Sequence, residues 1–139
     1  MASAFKPGVF DKHLAENAIL AANRSQMLRH QTGAYFAFTK HTGISGYSHY
    51  ALDHTSTRTV HAEMHILSKL TNFRFLVRNG VLYIATIRVK SGNLGKSKPC
   101  EVCIDLINSS AIKHVWYSIG NNSYDMLDRE NWTYMKRKV

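Results

Sequence analysis

Two short segments carry the residues in this chain best suited to chemistry: His61-Ala62-Glu63 and Pro99-Cys100-Glu101-Val102-Cys103. An imidazole and two thiolates suit zinc, a borderline-soft ion that favours four-coordinate tetrahedral sites. Cys100 and Cys103 are the only cysteines in the chain. A structural disulfide across so short a loop would constrain little of the unfolded chain. A redox pair would be expected after the first strand of a βαβ unit, which is not where this C-x-x-C falls. Cysteines at i, i+3 on a helix share one face, so both sulfurs can reach a single ion. A helix start also exposes backbone amides that favour the thiolate. Three protein ligands, His61, Cys100 and Cys103, leave a fourth position open, which separates a catalytic zinc from a closed structural one. Zinc in such a site lowers the pKa of bound water toward neutrality. A carboxylate is then needed beside it to relocate protons. Glu63 lies two residues from His61, on a different side of the helix start, and is the candidate for that role. His65, one turn beyond His61, reads as a partner or surface histidine rather than a ligand.

The elements that must hold these groups are legible from pattern. Apolar positions at Leu14, Ala18, Ala21 and Ala22 predict a helix from about Asp11 to Met27, with Asp11 as its N-cap. Gly33 opens an aromatic and small-apolar strand through Thr39. His41-Thr42-Gly43 then turns the chain into a second strand, Ile44 to Leu52, making a hairpin. A polar stretch from Asp53 to Thr59 leads to a second helix, about Val60 to Leu70. Thr59 is its candidate cap, and Ala62, Ile66 and Leu70 share a face. Asn79-Gly80 precedes Val81 to Val89, whose near-continuous apolar run predicts a central strand covered on both faces. Pro99 marks the start of a third helix, about Cys100 to Asn108. His114 to Ile119 forms a further strand, and Gly120-Asn121-Asn122 is a tight turn returning through Tyr124 to Leu127. This order predicts an α/β layered domain around a mixed sheet.

The two half-motifs, in this order and at two predicted helix starts, match the H-x-E…P-C-x-x-C pattern of zinc deaminases. His61-Ala62-Glu63 with Pro99-Cys100-Glu101-Val102-Cys103 resembles the cytidine deaminase-like superfamily, and the order of elements extends the resemblance over about residues 10 to 128. The resemblance implies a three-layer α-β-α fold with a central mixed five-stranded sheet. It implies one zinc ion per chain and hydrolytic attack of zinc-activated water on the amino-bearing ring carbon. Glu63 would protonate the ring nitrogen and then the departing amine, releasing ammonia. Histidine as first ligand resembles deoxycytidylate, tRNA-adenosine and polynucleotide cytosine deaminases. The tight turn after Ile119 resembles instead the free-nucleoside and bacterial toxin-type deaminases, whose last two strands form an antiparallel hairpin. Small phage and bacterial deaminase-like proteins are similar around Arg29-His30-Gln31-Thr32-Gly33 and Lys96-Ser97-Lys98-Pro99-Cys100. The leading expectation is deamination of a cytosine nucleoside or nucleotide to its uracil form. The alternatives are a deaminase of cytosine or adenine in single-stranded DNA, RNA or tRNA, and a zinc-binding module without catalysis.

Length and charge frame these expectations. With 139 residues, 45% of them hydrophobic and 19% charged, the chain reads as one globular domain, residues 1–139. Its core is expected over about 10–128, with residues 129–139 as a basic tail containing Lys136, Arg137 and Lys138. The absence of a secretory or membrane-spanning pattern predicts a cytoplasmic protein without a membrane partner. A formal charge of +9 points to anionic partners, phosphates, nucleotides or nucleic acid. Lys96 and Lys98, leading into the cysteine pair, are candidates to meet a substrate phosphate. Tyr117 is a candidate to stack on a base, although strand alternation sends it and Trp116 to opposite faces. Arg29, entering the first strand with His30, is a candidate pocket residue by analogy. The resemblance also implies a homo-oligomer, dimer or tetramer.

Overall fold

The computed structural model describes residues 5–50, 59–71, 77 and 79–127. Helix α1 spans Lys12–Ala22, and the Asp11 carboxylate caps it by accepting from the amides of His13 at 2.9 Å and Leu14 at 3.4 Å. It ends five residues before the expected boundary at Met27, with Asn23 as C-cap. Strands β1 (His30–Ala37) and β2 (Gly43–Tyr47) form the expected hairpin. The remainder of the second run divides off as β3 (His49–Tyr50), which pairs with β4 (Thr59–Val60) in a separate two-stranded ribbon. Residues 51–58, including the polar stretch from Asp53 and the end of the predicted second strand, lie outside the described residues, as does the basic tail.

Helix α2 spans Ala62–Leu70 and buries Ala62, Ile66 and Leu70 along one face. Its N-cap position is His61 rather than Thr59, which belongs to β4. Strand β5 (Val81–Arg88) is followed by the short β6 (Leu94–Gly95) and by helix α3 (Glu101–Ser109), with Cys100 at its N-cap position. Pro99 therefore precedes the cap instead of opening the first turn. Strands β7 (His114–Gly120) and β8 (Ser123–Met126) close the sequence of elements.

The main sheet runs β2-β1-β5-β7-β8, with β6 paired to β5 off that path. Among the described strands, β5 and β7 alone pair parallel; the pairs on either side are antiparallel. A mixed sheet with a terminal hairpin is the arrangement expected from the sequence; the sheet has six strands rather than five, because the short β6 adds to β5. The hairpin turn holds Asn121 and Asn122 at φ 52° and 57°, the positive values that a two-residue type I′ connection demands.

Alternation along the central strands divides the interior into two layers. Leu82 and Ile84 join Ala34, Phe36, Ile66 and Ile107 on one face. Val81, Tyr83 and Ala85 join Leu14, Ala15 and Ala18 on the other. Thus α1 covers one side of the sheet, and α2 with α3 covers the side that carries the chemistry. Gly33 sets the closeness of the first layer: a Cβ there would lie 2.1 Å from the Ala22 nitrogen and 2.2 Å from the Ala18 carbonyl oxygen. The alanine-rich face of α1 rests directly on β1 at that point. No helix among the described residues is long and apolar enough to cross a membrane.

Candidate metal centre and active site

Two helix N-termini converge on one point. His61 precedes the first turn of α2 and makes no side-chain capping bond, which leaves its imidazole to other partners. Cys100 occupies the equivalent place on α3, and Cys103 follows one turn later on the same face. The His61 Nδ1 lies 3.7 Å from the Cys100 Sγ and 3.5 Å from the Cys103 Sγ. All three ligand atoms fall within 4.8 Å of one another. Zinc bonds of about 2.0–2.1 Å to nitrogen and about 2.3 Å to sulfur, at tetrahedral angles, require a nitrogen–sulfur separation of about 3.6 Å. The geometry of the three residues therefore fits one zinc ion.

Electrostatics supports the same fit. Burial pushes the Cys103 thiol well above its ordinary range, and the neighbouring Glu63 charge adds to that. A divalent cation supplies the positive charge that would hold this sulfur as thiolate. The Glu63 carboxyl is also raised, by burial, and its hydrogen bond with Cys103 and the nearby His61 partly offset the effect. Glu63 is 5% exposed, in the first turn of α2 beside the cluster. Burying a carboxyl is costly, and no Lys or Arg among the described residues forms an ion pair with Glu63 to offset it.

A cavity of about 250 Å³ opens above these groups. His61, Ala62, Glu63 and Cys100 line one part of it, and Lys96 and Lys98 lie along it as the sequence suggested. Its polar wall comes from residues that sequence reasoning did not single out. Thr32 of β1 stands opposite Thr86 of β5 in the antiparallel register, and their hydroxyls hydrogen-bond at 2.8 Å. The Ser48 hydroxyl accepts the Thr32 amide at 3.2 Å and pairs with Ser25 at 2.8 Å. The Ser97 hydroxyl donates to the Ile84 carbonyl at 2.9 Å and accepts the Ser118 amide at 2.7 Å. Met27 and His30 complete the lining. Thr86 did carry a signal, as a polar interruption in the apolar run Val81 to Val89; Thr32 lies ahead of the apolar run that Gly33 opens and carried none. Their pairing depends on a register that spacing alone does not give.

Three other candidates lie elsewhere. Tyr117 is buried in the apolar layer between the sheet and α2 with α3, and it is not among the cavity-lining residues. Trp116 points to the α1 side, where it stacks near Tyr83. Arg29 is exposed, and its carbonyl accepts the Val89 amide at 2.9 Å; its neighbour His30 reaches the cavity instead. His65 stays outside the three-residue cluster. Its Nδ1 accepts the Tyr47 amide at 3.1 Å, and its ring packs against Tyr47 and His49.

Comparison with known proteins agrees with this geometry. The family described as the cytidine and deoxycytidylate deaminase zinc-binding region matches residues 9–119. No curated protein matches the chain at a significant level. Among solved structures, the fold is similar to a cytidine deaminase from Burkholderia pseudomallei, with a TM-score of 0.67 at 12% identity. That match covers 88% of this chain and 96% of the other. A dCMP deaminase from the cyanophage S-TIM5, in complex with dCMP and dUMP, gives a TM-score of 0.52 at 17% identity over 75% of this chain and 76% of its own. A cytidine deaminase from Mycobacterium tuberculosis gives 0.50 at 18% identity over 74% and 80%.

Proposed function

The chain belongs to the cytidine and deoxycytidylate deaminase zinc-binding family, and from that premise we propose that it hydrolyses the exocyclic amino group of a cytosine nucleoside or nucleotide. The observation that carries this reading is the buried Glu63 beside the His61, Cys100 and Cys103 cluster, with Glu63, His61 and Cys100 lining one cavity. A metal module without catalysis has no use for a carboxyl in that position.

His61, Cys100 and Cys103 would hold the ion. Zinc bound there supplies Lewis acidity, which makes water nucleophilic near neutral pH. The Glu63 carboxylate takes a proton from the attacking water and passes it to the ring nitrogen next to the amino-bearing carbon. It then takes the second proton and delivers it to the departing nitrogen. Carbon–oxygen bond formation and carbon–nitrogen cleavage leave the uracil form and ammonia. The Thr32, Ser48, Thr86 and Ser97 wall offers hydroxyls and keeps bulk water from surrounding the base. Lys96 and Lys98 place cationic charge where a 5′-phosphate would lie. The dCMP and dUMP held by the cyanophage enzyme support a nucleotide, since both carry that group. A second reading, a cytosine or adenine within single-stranded nucleic acid, draws on the +9 charge.

The test is ammonia release by zinc-loaded protein from cytidine, deoxycytidine, their monophosphates, adenosine and single-stranded oligonucleotides. Turnover of a cytosine monophosphate above its nucleoside supports the proposal. Release only from adenosine, or from none of these by folded protein with zinc bound, overturns it.

A further inference from the structure

A second cavity, of about 360 Å³, adjoins the first, and the two share Lys96. Sheet topology creates it. Parallel pairing of β5 with β7 stops at Ile84 and Tyr117, and β6 inserts against Thr86 and Ile87 while Lys96 bridges to Ile119. The space left at that end is lined by Arg88, Asn93, Leu94, Ile119, Asn121 and Asn122, besides Lys96 and Gly120. None of these is acidic. Arg88 and Lys96 form no ion pair among the described residues. The Arg88 stem runs across Gly95, where a Cβ would lie 3.2 Å from its Cγ and 3.3 Å from its Nε. The turn fixes the two asparagines, with positive φ at Gly120, Asn121 and Asn122.

The lining chemistry identifies a kind of occupant. Two unpaired cations suit phosphates. Three carboxamides offer donors and acceptors together, and their acceptor oxygens suit the N–H groups of a base edge, since a phosphodiester has no donor to give them. Leu94 and the exposed Ile119 add apolar surface. A lone phosphate has no use for that surface, nor for a space larger than the first cavity. We propose that this second cavity receives the neighbouring nucleotide of an unpaired strand whose target cytosine lies over Glu63. Lys96, common to both spaces, meets the phosphodiester between them, and Arg88 meets the next phosphate. This rests on the deaminase reading for the seat of the target base and extends its substrate from a mononucleotide to a short single strand.

Binding tests it without turnover. Zinc-loaded Glu63→Gln protein, with and without Arg88→Gln, is titrated against a labelled single-stranded DNA containing one cytosine over a range of salt. Deoxycytidine monophosphate and triphosphate serve as competitors. Loss of one phosphate contact lowers the slope of log affinity against log salt by about 0.7 on a single strand. That change is expected for Arg88→Gln, with monophosphate competition altered less than about twofold. Asn93→Ala should weaken strand binding without changing the slope, because a carboxamide releases no counterion. The proposal is overturned if Arg88→Gln leaves the slope unchanged or weakens the monophosphate equally. It is also overturned if the variant affects the triphosphate alone, which would make the cavity a polyphosphate pocket. Arg88-dependent strand binding, together with no uracil formed from strand or mononucleotide by the zinc-loaded parent with Glu63 intact, would remove the deaminase reading and leave the strand site standing.

Discussion

Replacing Glu63 with glutamine isolates the proton-transfer role more cleanly than truncation. Glu63 is 5% exposed, so alanine would empty a packed space and confound activity with stability. Glutamine fills the same volume and keeps a polar group facing Cys103, but it cannot accept a proton and return it. Positioned acid–base catalysis contributes about 10²–10⁴ in rate, which corresponds to about 2.7–5.5 kcal/mol of barrier. Both proton deliveries fall to Glu63, the only acidic side chain among the described residues lining the cavity, so a loss in the upper part of that range is expected. Stability should hold or rise, because a neutral amide avoids the cost of burying a charge. The assay pairs steady-state ammonia release with zinc content by atomic emission and thermal unfolding of the same preparation. The expected outcome is one zinc per chain, an unchanged or higher Tm and kcat lower by about 10³–10⁴. A zinc-replete, folded variant within about tenfold of the parent rate would refute the assignment of the proton carrier. Loss of zinc from it would show that Glu63 is a ligand instead.

Three further outcomes follow from the geometry. Chelation, or His61→Ala or Cys100→Ala, should abolish turnover and lower Tm; restoring zinc to the parent at a hundredfold excess over Kd should return about 2.7 kcal/mol in calorimetry. Gly33→Ala drives a methyl into the backbone of α1, and urea unfolding should show a loss of about 3 kcal/mol or more. Burial, the largest cause, raises the Tyr83 phenol to about 12. The folded state therefore keeps a proton that the unfolded chain releases near pH 10, so stability is full below about pH 10 and falls as pH rises toward 12. Urea titrations across that window should show a decline of up to about 2.7 kcal/mol from this group, and Tyr83→Phe should remove that share while leaving the share of Tyr124, whose phenol burial also raises to about 12.

Local pattern settled a good deal of this protein. Asp11 could be read as a cap, and Leu14 with Ala18 as one helix face, because those interactions close within a turn of chain. His61, Glu63, Cys100 and Cys103 could be grouped because zinc constrains ligand type, and because Cys100 and Cys103 sit one turn apart. Asn121-Asn122 announced its turn, since few residues adopt positive φ twice in succession. What spacing did not supply was everything dependent on register and on the parting of strands. Whether Tyr117 faces a base or the core turns on a single-residue alternation in β7, and it faces the core. Thr32 and Thr86, 54 residues apart, meet only because β1 pairs with β5 in one particular alignment. The same holds for the second cavity, which exists because β6 enters where β5 and β7 separate. Ligand chemistry is written in residue types a few positions apart, whereas the walls of a cavity are set by long-range contacts that the whole sheet must agree on.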